Sequence, residues 1–141
     1  MKKYMLFLVA MMMSILLSAC MSTEKSDPIV LPEEENVISI SLSDNNATAT
    51  CTDREQIGEI LSILMDMEST SKLSVNDSPG VDDYIKIELS CADDTVKTLF
   101  FYEESGTAYV EQPYQGIYIP APALNTIITD LLSNAEVLSQ A

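Results

Sequence analysis

A chain of 141 residues with 22 acidic against 7 basic side chains, formal charge −15, suffices for one small domain. Its acidity argues against nucleic acid, whose phosphates are held through Lys and Arg, and against an anionic lipid surface. Two uses remain for the acid: a solvated face that keeps the domain soluble, or a surface for basic peptides or divalent cations.

Lys2 and Lys3 precede an uncharged apolar run from Met5 to Leu17, thirteen residues long and short of the roughly 20 that span a bilayer. Residues 1–19 therefore read as an export signal. The signal ends in Leu17-Ser18-Ala19-Cys20: a large aliphatic residue, two small ones and a cysteine. This resembles the lipobox of bacterial lipoproteins. The resemblance implies that lipoprotein signal peptidase recognises Leu17, Ser18, Ala19 and Cys20 and cuts before Cys20, whose sulfur carries a diacylglyceryl lipid. At about 0.8 kcal/mol per buried methylene, one acyl chain anchors marginally and two anchor stably. The expected location is the cell membrane, lipid-anchored and facing the extracytoplasmic side. Every acidic residue follows Cys20, so processing makes the chain more acidic still.

Residues 20–36 are mostly polar, interrupted by Ile29-Val30-Leu31 between Pro28 and Pro32, and suit an extended linker. A small domain is expected over 37–134, with a tail at 135–141. Val37 to Leu42 alternates, placing Ile38, Ile40 and Leu42 on one face; Ser43 to Asn46 is turn chemistry, and Ala47 to Cys51 resumes the alternation. Thr52 and Glu55 have capping-box spacing, and Ile57, Ile60, Leu61 and Leu64 form a helical stripe over about Asp53 to Met67. Glu68 to Asp83 reads as a long loop. Strands are expected at Tyr84–Cys91, Val96–Tyr102 and Thr107–Glu111, then a short one at Ile117–Ile119. A last helix opens at Pro120 or Pro122, with Leu124, Ile127, Ile128, Leu131 and Leu132 on one face. The fold class is α+β: a single antiparallel sheet in ββαβββ(β)α order with two helices on one face.

Two stretches, Ser74-Val75-Asn76-Asp77-Ser78-Pro79 with Tyr84-Ile85-Lys86-Ile87, and Tyr109 through Tyr118, resemble an uncharacterised domain family of Gram-positive extracytoplasmic lipoproteins. The resemblance covers about Val37 to Leu132. It implies a fold and a location, and no activity or catalytic residues. Cys51 and Cys91 stand where that family is expected to carry apolar strand residues, so it implies no common disulfide.

The chain has no His, which removes the commonest general base and the usual activator of Ser or Cys. Its Asp and Glu pairs fall in turns or on a helix surface, where solvent keeps them ordinary. Neither points to an enzyme, and no catalytic residue is assigned. Cys51 and Cys91 each end a strand on an inward position, as a disulfide or as two buried thiols. Asp77, Asp82 and Asp83 are weak Ca²⁺ candidates, because hard cations want several oxygens around one point and no EF-hand spacing supplies them. Lys86 is expected to pair with Asp82 or Asp83. Glu111, Gln112, Pro113, Tyr114, Gln115, Gly116 and Tyr118 make a Tyr-rich loop, read as either a recognition surface or a crossover covering the sheet edge.

The expected function is a lipid-anchored binding or sensing module of the cell envelope, with an envelope protein or peptide as partner and no cofactor beyond the lipid on Cys20. The alternatives are a structural component of an envelope complex, or a small envelope hydrolase or thiol enzyme.

Overall fold

The computed structural model describes residues 24–140, with side chains through Ala135; the export signal, the lipobox residues Leu17, Ser18 and Ala19, and Cys20 lie outside the described residues. Alternation of apolar and polar residues generates the strands β1 (Val37–Ser43), β2 (Thr48–Cys51), β4 (Ile85–Cys91), β5 (Val96–Glu104), β6 (Thr107–Gln112) and β7 (Gly116–Ile119). A two-residue strand, β3 (Glu68–Ser69), interrupts the expected long loop. Together they make one antiparallel sheet in the order β2-β1-β4-β5-β6-β7-β3, so the observed element order is ββαβββββα.

The helices are α1 (Arg54–Met65) and α2 (Pro122–Gln140). Helix α1 begins one residue later than the Thr52 capping box would place it. The Asp53 carboxylate accepts the Gln56 amide at 2.9 Å and is the N-cap. Its Ile57, Ile60, Leu61 and Leu64 are buried, and so are Leu124, Ile128 and Leu132 of α2, as the 3.6-residue period requires. Both helices pack over β1, and α2 also covers β2.

The sheet face beneath them is set by register. Cys51, Ile40 and Leu89 lie in one row, Ala49, Leu42, Ile87 and Leu99 in the next, and Ile85, Phe101, Val110 and Tyr118 in a third. The expected placement of Ile38 on this face is corrected: a register shift between Val37 and Ser39 puts Val37 fully inside and leaves Ile38 53% exposed. An inserted residue reverses the side of everything before it.

Two turns fix the meander. Ser105 and Gly106 both have positive φ, 53° and 78°, the two-residue turn whose twist matches paired strands. In the β4–β5 turn Asp94 is left-handed at φ 65°, while Asp93 Oδ1 accepts the Thr95 amide and hydroxyl at 3.1 and 2.6 Å.

The opposite sheet face divides along its width. Toward β2 it is polar, with Ser41 and Thr50 hydrogen-bonded at 3.1 Å. Around β5 and β6 it is covered, and Leu99, Phe100, Phe101 and Tyr102 are buried in succession, which a one-sided sheet does not permit. The segment that follows β3 supplies this cover, with Ser74 and Pro79 buried and Tyr84 edge-on to Phe100 at 5.1 Å.

Candidate functional site

The Tyr-rich segment lies between two other parts of the chain. On its helix side it receives residues 26–31, the stretch expected as a free linker. Gln112 grips the Val30 backbone at both ends: Nε2 donates to the carbonyl at 2.7 Å and Oε1 accepts the amide at 2.8 Å. Gln115 Nε2 donates to the Pro28 carbonyl at 3.0 Å, and the Tyr118 hydroxyl to that of Asp27 at 2.7 Å. Ser26 is held by the loop after β3, its amide on the Thr70 carbonyl at 2.7 Å and its hydroxyl on that of Lys72 at 3.0 Å. Ile29 and Leu31 pack against the core. The chain from Ser26 to Leu31 is thus an extended strap, seated because its three apolar residues and the polar ends of β6 and β7 match. Gly116 permits the approach: a Cβ there would stand 2.5 Å from the Ser26 Cβ.

Of the two readings of this segment, the burial favours the crossover that covers the sheet edge over the recognition surface. Glu111, Gln112, Gly116 and Tyr118 are buried, Pro113 and Gln115 are half-buried, and Tyr114 alone of the seven is exposed, at 66%. Two neighbours, strap and covering loop, use the polar groups that the sequence offered to a partner.

On the other face is a groove of about 370 Å³, lined among others by Leu73, Val75, Val81, Tyr102, Glu111 and Ile117. Glu111 is 5% exposed; its Oε1 accepts the Ser74 hydroxyl at 2.7 Å, and the Tyr102 hydroxyl donates to Oε2 at 3.4 Å. Ser74 Oγ also accepts the Tyr114 amide at 3.1 Å. Tyr114 is left-handed at φ 61°, which turns its amide inward and its ring out. The loop thus buries its polar Ser74 and exposes its apolar neighbours, Leu73 by 77% and Val75 by 64%. That inversion of ordinary burial sets an apolar rim around a buried carboxylate.

Lys72, on the same rim, is engaged elsewhere. Its Nζ lies 2.6 Å from Glu104 Oε2 and 4.2 Å from the centre of the Tyr109 ring. The hydrogen bond to Glu104 holds the lysine above its ordinary pKa. Burial, and next the Glu111 charge, push the Tyr102 phenol well up, so it remains a donor. The Asp77 side chain raises Tyr114 through a hydrogen bond. Sequence reasoning missed Tyr102, Lys72 and the role of Leu73; strand alternation puts Glu111 and Tyr109 on the side away from Val110, but nothing in it says a loop will cover them.

The remaining candidates fall elsewhere. Cys51 and Cys91 are buried free thiols on β2 and β4, with β1 between them. Two strand spacings of about 4.8 Å put them at least roughly 10 Å apart, and the register, Cys51 opposite Ile40 and Cys91 opposite Val37, adds an offset along β1; the limit for a disulfide is about 7 Å. The disulfide alternative is therefore set aside. Both thiols face the helices, and Cys51 Sγ lies 3.0 Å from Gln56 Oε1. Asp77, Asp82 and Asp83 are exposed, and among the described residues no three His, Cys, Asp or Glu side chains form a group that could hold a metal ion. Lys86 pairs with Glu88 at 3.1 Å rather than with Asp82 or Asp83.

The strap, sheet and covering loop define a family domain. Residues 25–119 match the family DUF5301, described as "Domain of unknown function (DUF5300)", and the chain belongs to that family. It is also similar to a solved structure, the NMR structure of a protein from Ruminococcus gnavus, at 37% identity and a TM-score of 0.57, over 64% of this chain and 89% of that one. None of the curated proteins matches.

Proposed function

We propose that this chain is a lipid-anchored binding or sensing module on the extracytoplasmic side of a bacterial cell membrane. The address rests on Lys2, Lys3, the apolar run and Leu17-Ser18-Ala19-Cys20. The observation that carries the binding role is the groove over Glu111, where a buried carboxylate lies beneath the exposed Leu73 and Val75. Absence of His from the whole chain supports a role other than catalysis, and both cysteines of the domain face the core.

The test is crosslinking of the tagged full-length protein in its own membrane, then mass spectrometry, with Cys20→Ala in parallel. A partner recovered with the native chain, lost with Cys20→Ala and lost with Val75→Trp is expected. A partner that survives Val75→Trp would remove the groove from the reading. An unlipidated Cys20 would remove the anchor.

A further inference from the structure

We infer that the groove over Glu111 receives an organic cation, a primary ammonium or guanidinium on a short apolar stem. The inference rests on the binding role proposed above and names its ligand chemistry. A carboxylate removed from water needs a countercharge or a full set of donors. Glu111 has two hydroxyl donors and takes part in none of the ion pairs among the described residues. The Ser74 bond at 2.7 Å is short, whereas the Tyr102 bond at 3.4 Å exceeds the usual range for a hydroxyl donor, so Oε2 is the oxygen with capacity left.

The cation on the groove's rim is engaged elsewhere: Lys72 Nζ lies 2.6 Å from Glu104 Oε2. With that pair neutralised, Glu111 leaves the groove net negative. A volume of about 370 Å³ suits a charged head and a few methylenes. Leu73, Val75, Val81 and Ile117 offer the stem apolar wall, and Tyr102 adds an aromatic ring to the lining. The same face already holds a cation over a ring, in Lys72 above Tyr109 at 4.2 Å. An anion would meet Glu111 unscreened, and a neutral ligand would leave its charge as it is.

The ligand group can come from a free amine or from a Lys or Arg side chain of an extended peptide. Full-length protein in uncharged detergent is titrated with agmatine, cadaverine and acetylated Gly-Arg-Gly and Gly-Lys-Gly amides. Pentanol and acetylated Gly-Gln-Gly amide are the neutral controls. Amide NMR shifts report where binding occurs. Saturable binding of cations is expected, with shifts at 73–75, 102 and 111, and neutral probes weaker by at least about tenfold. Tighter binding of the amines assigns the group to a free ligand, and tighter binding of the peptides to a partner's side chain; both uphold the inference.

Glu111→Gln is expected to abolish the discrimination between charged and neutral probes. Val75→Trp, on an exposed position that leaves the core intact, is expected to block all of them. Equal binding of charged and neutral probes to the native protein overturns the inference, and so do shifts that map away from the groove. A partner captured in the membrane experiment together with cations that do not bind would discard the cation and keep the binding role. Cations that bind here while no protein is captured would keep the cation and assign the role to a small ligand.

Discussion

Tyr118 looks from the sequence like a contact offered to others, and it serves the chain's own interior. Burial first, and the Asp27 charge second, push its phenol up to about 12 from an ordinary 10.0. A folded pKa above the unfolded one means that this contribution to stability is full below pH 10 and is lost as pH rises through about 12. Tyr102 moves the same way, for the same leading cause. Phenolate absorbance should therefore show both still protonated at the usual tyrosine value of about 10, ionising only as the far-UV circular dichroism collapses. Ionisation of Tyr102 or Tyr118 near a pH of about 10 while the fold persists would contradict this. Gln112→Ala removes both bonds to Val30 and should cost about 1 to 3 kcal/mol in urea denaturation. Gly116→Ala should displace Ser26, visible as shifted amides at 26–31 with the helices undisturbed.

Strand and helix periodicity located nearly every element here, because burial against one core imposes that periodicity. It misplaced what depends on a single backbone choice. Ile38 is exposed because the bulge resets β1, and the N-cap is Asp53 because its side chain, not that of Thr52, reaches the Gln56 amide. Asp53→Ala should cost about 1 kcal/mol and Thr52→Ala much less, in the same denaturation measurement. Strand order was also illegible, since it is set by which edges meet and leaves no local trace. Hence the two cysteines, each correctly inward, gave no sign that β1 would part them. Mass spectrometry of the unreduced, unfolded domain should find both thiols free; a bonded pair would mean a different strand order. The candidate site shared this limit. Its residues were partly named, yet the loop that closes it is 37 positions from Glu111 at the Ser74 contact, a distance that no period spans.

Across the whole molecule, the fold begins earlier than composition suggests. Polar, proline-flanked residues read as linker, but Ile29 and Leu31 complete the core and the matched family domain starts at residue 25. A chain beginning at Val37 should be several kcal/mol less stable than one beginning at Lys25, as the sum of two partly buried side chains and the Gln112, Gln115 and Tyr118 bonds. Equal urea midpoints would show the strap to be dispensable. The strap also sets a leash length. With the proposed lipid on Cys20, the six steps from Cys20 to Ser26 cannot carry the domain's first fixed residue further than about 20 Å from the lipidated residue, the limit at full extension. A linker running to Asn36 would have allowed more than twice that. The attachment point, Ser26, is bonded to the carbonyl of Lys72, on the groove's own rim. Under the proposed anchoring, whatever the groove meets has to come within a short radius of the lipid headgroups, and a ligand displayed far from the membrane would pass beyond its reach.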